Sequence, residues 1–331
     1  MGLRDRLLDA QSSLLGRLRP SGVRGRAGAG RIHVIGNCQG QAVAHALRML
    51  LPERDIAFTS VFGIAGRYRR MADLVAATQD AEAVFATAFA APFRDGGGFE
   101  DLRAGTRLHV VPTIVFAAFH PDAIYVGERA EEAPLMGPMG GHHSALALYG
   151  YLEGFGPGRT ERLFRAEAFR RLGYLDSWDA SVATLLERGR HAGFPLEEAV
   201  LRWTRRGAFM HGINHPKMFV SADLARGLLR RAGIAFEEID LDGFLPDDVI
   251  RSGTWPVYPA VGVHYGVPAS ELFLKAPTRK TGPARTMTLR QFVEASHASY
   301  DTRARSALRS VRVEGWRQDE RTRRDLAALA A

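Results

Sequence analysis

Cysteine is nearly absent from the sequence: Cys38 stands alone among 331 residues. A single cysteine cannot form a disulfide within the chain, and it gives no support to a cysteine-rich zinc site. We therefore expect a reducing, cytoplasmic environment. Long apolar runs are missing as well, since no stretch approaches the ~18 apolar residues that a membrane-spanning helix needs.

Several common site motifs are also missing. The sequence has no Walker A pattern, no G-x-G-x-x-G after a predicted strand, no G-x-S-x-G elbow and no H-E-x-x-H spacing. The one glycine-rich stretch, RDGGGFED at 94–101, lacks the Lys-Ser/Thr pair of a phosphate-binding loop and is predicted to be an ordinary loop. We expect no metal ion.

Arginine carries most of a formal net charge of +8 at pH 7. This charge favours anionic partners such as phosphates, nucleotides or lipid head groups. Basic and aromatic residues are not interleaved as in a nucleic-acid platform, so nucleic acid is not an expected partner. Residues 1–30 are predicted to be a flexible N-terminal extension, with weak contact to an anionic membrane surface as the alternative. Residues 301–331 are predicted to be an arginine-rich tail or helix.

Strand-like and helix-like segments alternate through the first half of the sequence. Strands are predicted at RIHVIG, DIAFTSVFG, AEAVFATAF and RLHVVPTIVF. Helices are predicted from Gln39 to Leu51 and at RRMADLVAATQ. This alternation is typical of a mainly parallel sheet flanked by helices.

The second half shows the apolar spacing of helices. Helices are predicted at HSALALYGYLEGF, RTERLFRAEAFRRLGYL, SWDASVATLLERGRHAG, PLEEAVLRWTRRG, SADLARGLLRRAG and TLRQFVEASHASYDTRARSALRSV. The stretch from Leu241 to Pro283 is predicted to be extended and looped. We therefore predict an α/β fold with an SGNH-like elbow at the first strand, as one domain over residues 31–300 with a helical second half.

Cys38 stands where the first predicted strand turns into the first predicted helix. Backbone N–H groups and the positive end of the helix dipole at such a position lower the pKa of a thiol from ~8.5 and stabilise an oxyanion. Asn37 and Gln39 add amide groups beside the thiol, and Gly36 lets a substrate approach the backbone. The pattern is typical of a nucleophile elbow. A buried free cysteine in a glycine turn is the structural alternative.

Two of the 11 histidines occur in a context that suits a general base. His120 and His215 each follow an apolar segment and precede a proline, which favours a fixed, extended or turn conformation. Asp122 can orient His120 only if the chain curls back, and Asn214 is a candidate partner for His215 and for substrate. A helix start is the structural alternative, because proline is common at the first helical position. The pair His142–His143 is predicted to be capping or exposed at the surface.

Four segments, taken in order, resemble one known family. VIGNCQGQ, VPTIVFAAFHPDAIY, HSALALYGYLEGF and FMHGINHPKMF together look like the WcbI-type polysaccharide biosynthesis acetyltransferases. The resemblance covers roughly residues 31–235, and the Gly-Asn-Cys-Gln element is its most specific part. It implies an enzyme of bacterial capsular polysaccharide synthesis that binds coenzyme A and transfers an acetyl group to a sugar hydroxyl.

By this resemblance Cys38 takes the family's cysteine position, His120 and Asp122 its His-Pro-Asp position, and His215 its Asn-His-Pro position. We predict an O-acetyltransferase that uses acetyl-CoA as donor substrate and a carbohydrate as acceptor. Cys38 would be the nucleophile and a histidine the base, with His215 favoured over His120. Direct transfer, in which the cysteine only positions groups, is also compatible. The other hypotheses are a cysteine-dependent esterase and a non-catalytic carbohydrate- or nucleotide-binding module.

Overall fold

The structure is a computed structural model that describes residues 30–91, 93–128, 134–245, 247, 253–275 and 284–331. The described chain forms two compact units. Unit 1 comprises residues 30–113, 188–196 and 218–247, and unit 2 comprises 114–187, 197–217 and 253–331. The predicted N-terminal extension lies outside the described residues, apart from Gly30. The single domain predicted over residues 31–300 stays a prediction.

Fourteen α-helices lie in the described ranges. They are α1 (Cys38–Leu50), α2 (Ile64–Arg67), α3 (Met71–Thr78), α4 (Phe99–Gly105), α5 (Ala145–Leu152), α6 (Pro157–Glu161), α7 (Ala166–Arg171), α8 (Trp178–His191), α9 (Glu197–Thr204), α10 (Met218–Ala232), α11 (Pro259–Tyr265), α12 (Leu289–Asp301), α13 (Val311–Gln318) and α14 (Glu320–Ala330). Among these described helices, none combines the length and the apolar character that crossing a bilayer requires.

Unit 1 contains a four-stranded parallel sheet, as the alternating pattern predicts. Its strands are β1 (Arg31–Gly36), β2 (Asp55–Ser60), β3 (Ala83–Ala86) and β4 (Leu108–Val110), in the order β2-β1-β3-β4. In the register, Ile32 pairs with Ile56 on one side and with Ala83 on the other. The central strands are nearly continuous apolar runs because helices bury both faces of a parallel sheet.

The two faces of this sheet are covered by different helices. The chain passes from β1 through α1 to β2, and then returns past β1 through α3 to β3. Because such crossovers are right-handed, α1 covers one face, and α3 and α4 cover the other. On the second face, buried Ile35 and Val84 share a core with Leu74 and Leu102. On the first face, α10 packs against α1. The prediction of a helix-flanked parallel sheet is confirmed.

The direction of the connections reverses at β1, which makes the gap between β1 and β3 the switch point of the sheet. In open α/β sheets, ligands bind beyond the carboxyl ends of the strands at this point. Gly36 ends β1, and Thr87 directly follows β3. The backbone N–H of Thr87 donates to the carbonyl of Ile35 at 3.0 Å, which holds the two strand ends together.

Unit 2 combines short antiparallel strand pairs with helices. β5 (Ala123–Tyr125) pairs with β6 (His142–Ser144), β7 (Met210–Gly212) with β8 (His215–Pro216), and β9 (Phe273–Lys275) with β10 (Arg285–Met287). Its core is rich in aromatic rings. Phe116 lies 4.8 Å from Phe209 and 5.2 Å from Trp178 between ring centroids, and Phe273 stacks on Phe292 at 3.9 Å. Such rings bury large apolar areas, which compensates for the small sheets of this unit.

Three predicted helices or strands end earlier or are divided in the structure. The strand predicted through RLHVVPTIVF ends at Val110, because Pro112 cannot donate a ladder hydrogen bond. The helix predicted over RTERLFRAEAFRRLGYL is divided into α6, α7 and a 3₁₀ turn at Tyr174–Asp176, with Gly173 in the left-handed conformation before that turn. The late helix predicted through residue 311 ends at Asp301.

The stretch predicted to be extended and looped, from Leu241 to Pro283, contains two regular elements among the residues that the structure describes there. Helix α11 begins with Pro259 at its first position. A backbone N–H at this position has no partner within the helix, so proline, which has none, loses no hydrogen bond there. Strand β9 follows it and pairs with β10. The proline and glycine content that predicts a loop here marks helix ends: Gly266, in the left-handed conformation, terminates α11.

We expect Gly36→Ala to destabilise unit 1. A Cβ at Gly36 would lie 2.9 Å from the Cα of Gly40 and 3.3 Å from the Oγ1 of Thr87, so backbone would have to move. We expect a loss of about 1–3 kcal/mol in the free energy of unfolding, measured by urea denaturation. The matched control is Gly40→Ala, whose Cβ would meet nothing closer than 3.8 Å and which should be stabilising by up to about 1 kcal/mol. Equal effects of the two changes would contradict this packing.

Candidate active site

Cys38 is the first residue of α1 and lies directly beyond the carboxyl end of β1. Asn37 is the N-cap, and its side-chain Oδ1 accepts a hydrogen bond from the N–H of Gln39 at 3.0 Å. Asparagine is among the preferred N-cap residues because its short side chain satisfies an otherwise unpaired helix donor. The cap therefore sets the start of the helix, and with it the place of the thiol, at the switch point of the sheet.

The thiol of Cys38 is not acidified in the way that its position predicts. Burial raises the pKa of Cys38, and the nearby N–H groups of Gln39 and Cys38 lower it by less. The expectation of a lowered thiol pKa is therefore wrong for the free protein. Because its pKa is raised by burial, the Cys38 thiol keeps its proton near pH 7 until a ligand or a base changes its surroundings.

The neighbours of Cys38 have definite structural roles. Gly36 allows the closest approach between the end of β1 and the first turn of α1. The oxygen of the Asn37 amide is used as the helix cap. Gln39 is buried, at 3% exposure. These three residues therefore build the elbow, and their role toward an oxyanion or a substrate stays a prediction.

Thr87 is a further candidate residue, which the sequence reasoning missed. It is buried, follows β3 at the same edge of the sheet, and its Oγ1 is the side-chain atom nearest to the position of a Cβ at Gly36. Its hydroxyl group therefore lies beside the elbow. A polar residue directly after the apolar run of a central strand was the available signal, as it was for Cys38.

His120 is placed in unit 2 as a core histidine. It is 1% exposed, and its two ring nitrogens face the carbonyl oxygens of Pro256 at 3.2 Å and Met210 at 3.4 Å. Burial lowers its pKa to about 4, although both carbonyls act in the opposite direction. These contacts join two distant segments of the unit and give His120 a structural reason to be present.

The carboxylate of Asp122 accepts hydrogen bonds from residues other than His120. Its Oδ1 accepts from the N–H of Leu146 at 3.0 Å and from the hydroxyl of Tyr174 at 3.0 Å, while Tyr258 approaches its other oxygen at 3.5 Å. Burial raises the pKa of Asp122. The chain does turn after His120, since Ala123 N–H donates to its carbonyl, but the turn directs the carboxylate to the start of α5.

The Asn-His-Pro turn, Asn214–Pro216, begins at Asn214 in the connection after β7 and continues as strand β8 in unit 2. Asn214 donates from Nδ2 to the phenol oxygen of Tyr125 at 2.8 Å. The ring of His215 is partly buried and meets the ring of His142 edge-on, with centroids 5.8 Å apart. Burial, with a smaller contribution from His211, lowers the pKa of His215 to about 4. His215 is therefore a neutral imidazole near pH 7, which can accept a proton.

His142 and His143 are buried in strand β6, so their interpretation as capping or surface residues is wrong. They are 7% and 2% exposed, and the N-cap of α5 is the next residue, Ser144, whose Oγ accepts from Ala147 N–H at 2.9 Å. The apolar residues follow helical spacing only after this cap. The two histidines directly precede it, which is why they were predicted to lie at a helix start. Their burial follows from pairing with β5.

Cys38 belongs to unit 1, and His120, Asp122, Asn214 and His215 belong to unit 2. The predicted pairing of a histidine with the thiol therefore stays a prediction. Within the described residues, no group of three or more His, Cys, Asp or Glu side chains is arranged to hold a metal ion.

Comparison with known proteins gives one family and one solved structure. The family model described as "Polysaccharide biosynthesis enzyme WcbI" matches residues 31–237. A solved structure of WcbI superimposes with a TM-score of 0.64 at 14% identity, covering 91% of this chain and 99% of the other. That structure is described as the native protein without a disulfide bond between coenzyme A and a cysteine. No curated protein matches the chain.

The buried histidines predict a pH-dependent stability. His120, His142 and His215 have folded-state pKa values of about 4, 3 and 4, below the value of 6.5 of an unperturbed histidine. The unfolded chain therefore binds protons below pH 6.5 that the folded chain does not bind until about pH 4. Because the unfolded state holds more protons in this window, the free energy of unfolding falls as the pH falls through it.

We expect His120→Gln to reduce this slope by up to about 1.4 kcal/mol per pH unit, the contribution of one proton. The measurement is urea denaturation at a series of pH values between about 4 and 6.5. The control, Phe116→Leu, removes buried volume without a titrating group and should lower stability equally at each pH. An unchanged slope in His120→Gln would show that the pKa of His120 is not lowered in the folded state.

Proposed function

Because the chain belongs to the WcbI family of polysaccharide biosynthesis enzymes, we propose that it is a coenzyme A-dependent O-acetyltransferase acting on a sugar of a bacterial surface polysaccharide or its precursor. The observation that carries the proposal is the position of the only cysteine. Cys38 lies at a capped helix N-terminus, at the switch point of a parallel sheet. This is where an acyl-transfer nucleophile finds backbone donors for the oxyanion.

The proposed reaction has two steps. The Cys38 sulfur attacks the thioester carbonyl of acetyl-CoA as its proton passes to the base, and the bond to the coenzyme sulfur breaks, so that coenzyme A takes up this proton and leaves as a thiol. The sugar hydroxyl then attacks the acetyl-cysteine, and the cysteine sulfur leaves. N–H groups in the first turn of α1 stabilise the oxyanion of each tetrahedral intermediate. His215 accepts the proton of the attacking group in each step and passes it to the departing sulfur, so that it is neutral again before the next step.

The protonation states of the free protein shape this mechanism. Burial raises the pKa of Cys38 and lowers that of His215 to about 4, so both groups are neutral near pH 7. A preformed thiolate–imidazolium pair is therefore disfavoured before substrate binds. The proton of the thiol would leave only as the thioester carbonyl is attacked. Direct transfer, with His215 acting on the sugar hydroxyl and Cys38 as a positioning group, is the competing route.

Basic side chains at the same sheet edge suit the coenzyme's phosphates. Arg67 and Arg69 lie in the connection after β2, and Arg94 lies in the loop after β3; all three are exposed. The two connections are joined, because the N–H of Arg94 donates to the carbonyl of Arg69 at 2.9 Å. Asp95 strengthens the junction by accepting from the N–H groups of Met71 and Ala72. We propose that these arginines bind phosphate in a forked geometry.

The donor is acetyl-CoA and the acceptor a carbohydrate, without nucleic acid. The enzyme acts in the cytoplasm, where acetyl-CoA is the donor, with the basic residues 1–30 available for contact with an anionic membrane. The net charge of +8 supports the affinity for anionic groups.

We expect Cys38→Ser to retain the fold and to lower acetyl-CoA turnover by at least about 10³-fold, since a hydroxyl is a far weaker nucleophile than a thiolate. Turnover is followed as coenzyme A release, with and without methyl glycosides as acceptors. Intact mass measurement of the wild type mixed with acetyl-CoA should show one added acetyl group, absent from Cys38→Ser. Turnover without an acetyl-enzyme would favour direct transfer. Release that no glycoside accelerates would favour the esterase.

We expect His215→Ala to remove the acidic limb from the pH profile of kcat/KM. For the wild type this limb should lie near pH 4, the pKa of His215, and not near ~6.5 as for an unperturbed histidine. The comparison variant His120→Ala should keep the limb, because His120 is held by carbonyls in the core. Loss of the limb in His120→Ala alone would exchange the two assignments.

A further inference from the structure

Tyr125 and His142 form a cross-strand pair beside the Asn-His-Pro turn. They lie directly opposite each other in the β5–β6 register. Their rings are stacked, with centroids 4.6 Å apart and planes inclined by 28°. Aromatic pairs of this kind hold both side chains in place on a sheet face. Neither residue was singled out for a site by the sequence reasoning.

This stacked pair touches both polar residues of the turn. The phenol oxygen of Tyr125 accepts the hydrogen bond from Asn214 Nδ2 at 2.8 Å. The ring of His142 meets the ring of His215 at 89°, an edge-to-face arrangement with centroids 5.8 Å apart. One side of the pair therefore fixes the amide, and the other side fixes the imidazole.

His142 contacts His215 through its ring and not through a hydrogen bond from its Nε2. His142 is 7% exposed, and its Nε2 has no hydrogen-bond partner in the described part of the chain. The next residue on the strand is different: His143 has both ring nitrogens within reach of Tyr300 and Leu135, at 3.2 and 2.9 Å. An unpaired buried nitrogen disfavours the folded state, so the hydrogen bonds of the fold give no reason for the imidazole of His142.

We infer that Tyr125 and His142 are positioning residues for the Asn214–His215 turn: the Tyr125 phenol sets the Asn214 amide, and the aromatic ring of His142 sets the His215 imidazole. The inference rests on the proposed function of His215 as the base. A buried neutral ring at this place also avoids repulsion when His215 takes up a proton. Burial, and then His215 itself, lowers the pKa of His142 to about 3, so His142 stays neutral through that step.

Two variants distinguish the contribution of the aromatic ring of His142 from that of its ring nitrogens. We expect His142→Ala to lower kcat about 10-fold, with the KM for acetyl-CoA unchanged within about 2-fold, because the base loses its orientation and the donor site is untouched. We expect His142→Phe, which keeps an aromatic face, to restore kcat to within about 3-fold of the wild type and to raise the thermal midpoint. A kcat in His142→Phe as low as in His142→Ala would overturn the inference.

A second pair of variants tests the phenol and excludes a general loss of stability. We expect Tyr125→Phe, which keeps the stack and loses the bond to Asn214, to lower kcat about 10-fold. The matched control is His143→Phe, in the same strand, which loses two structural contacts and should destabilise the protein without changing kcat. An equal fall of kcat in His143→Phe and His142→Ala would also overturn the inference.

The orientation of the His215 ring can also be measured without any enzymatic activity, so the positioning role can be tested even if the proposed function is wrong. The ring signals of His215, assigned by their loss in His215→Ala, are followed by carbon–proton correlation NMR. We expect them to shift and broaden in His142→Ala and to return close to their wild-type positions in His142→Phe. Wild-type signals in His142→Ala would contradict the positioning role even if His215 is the base. If His215→Ala keeps full turnover, the base assignment fails, and these signals still decide whether His142 holds the ring.

Discussion

The capped junction between β1 and α1 is the constraint on which the candidate site depends. Gly36 must lack a side chain, because the first turn of α1 passes within contact distance of the strand end. Asn37 must start the helix at that point, and its cap leaves Cys38 as the first helical residue. The same junction lies at the switch point of the sheet, where the ends of β1 and β3 are held together through Thr87. Backbone packing and the place of the thiol are therefore set by the same few atoms.

Burial has more influence on the charge states of the candidate residues than their local motifs do. The thiol at a helix N-terminus would be acidified in water-exposed surroundings, yet its pKa is raised. The histidines of unit 2 are neutral near pH 7 for the same reason, since desolvation is the largest cause of each lowered pKa. Neutral groups at rest avoid buried charges that would destabilise the fold.

Much of unit 1 could be predicted from the sequence, and less of unit 2. The strands of unit 1 are short apolar runs bounded by polar turns, and their alternation with helices leaves few topologies. The turn at Gly-Asn-Cys could be located from the sequence, although the helix was predicted from Gln39 and begins at Cys38, after the cap at Asn37. In unit 2, His120 and His215 share the same His-Pro context, but one is held between the carbonyls of Pro256 and Met210 and the other lines a turn. Proline restricts the backbone before it and says nothing about which atoms surround the ring.

The sequence by itself determined the parallel sheet and the place of Cys38 at its carboxyl edge, because both follow from local periodicity and from capping chemistry within a few residues. Only the tertiary structure decided which histidines are buried, that Asp122 serves α5 and not His120, and that Tyr125 and His142 stand against the Asn-His-Pro turn. These relations join residues that are tens of positions apart, and the pKa values that follow from them depend on the whole packed environment. The local sequence does not specify that environment, since the same His-Pro dipeptide can lie in a core contact or in a functional site.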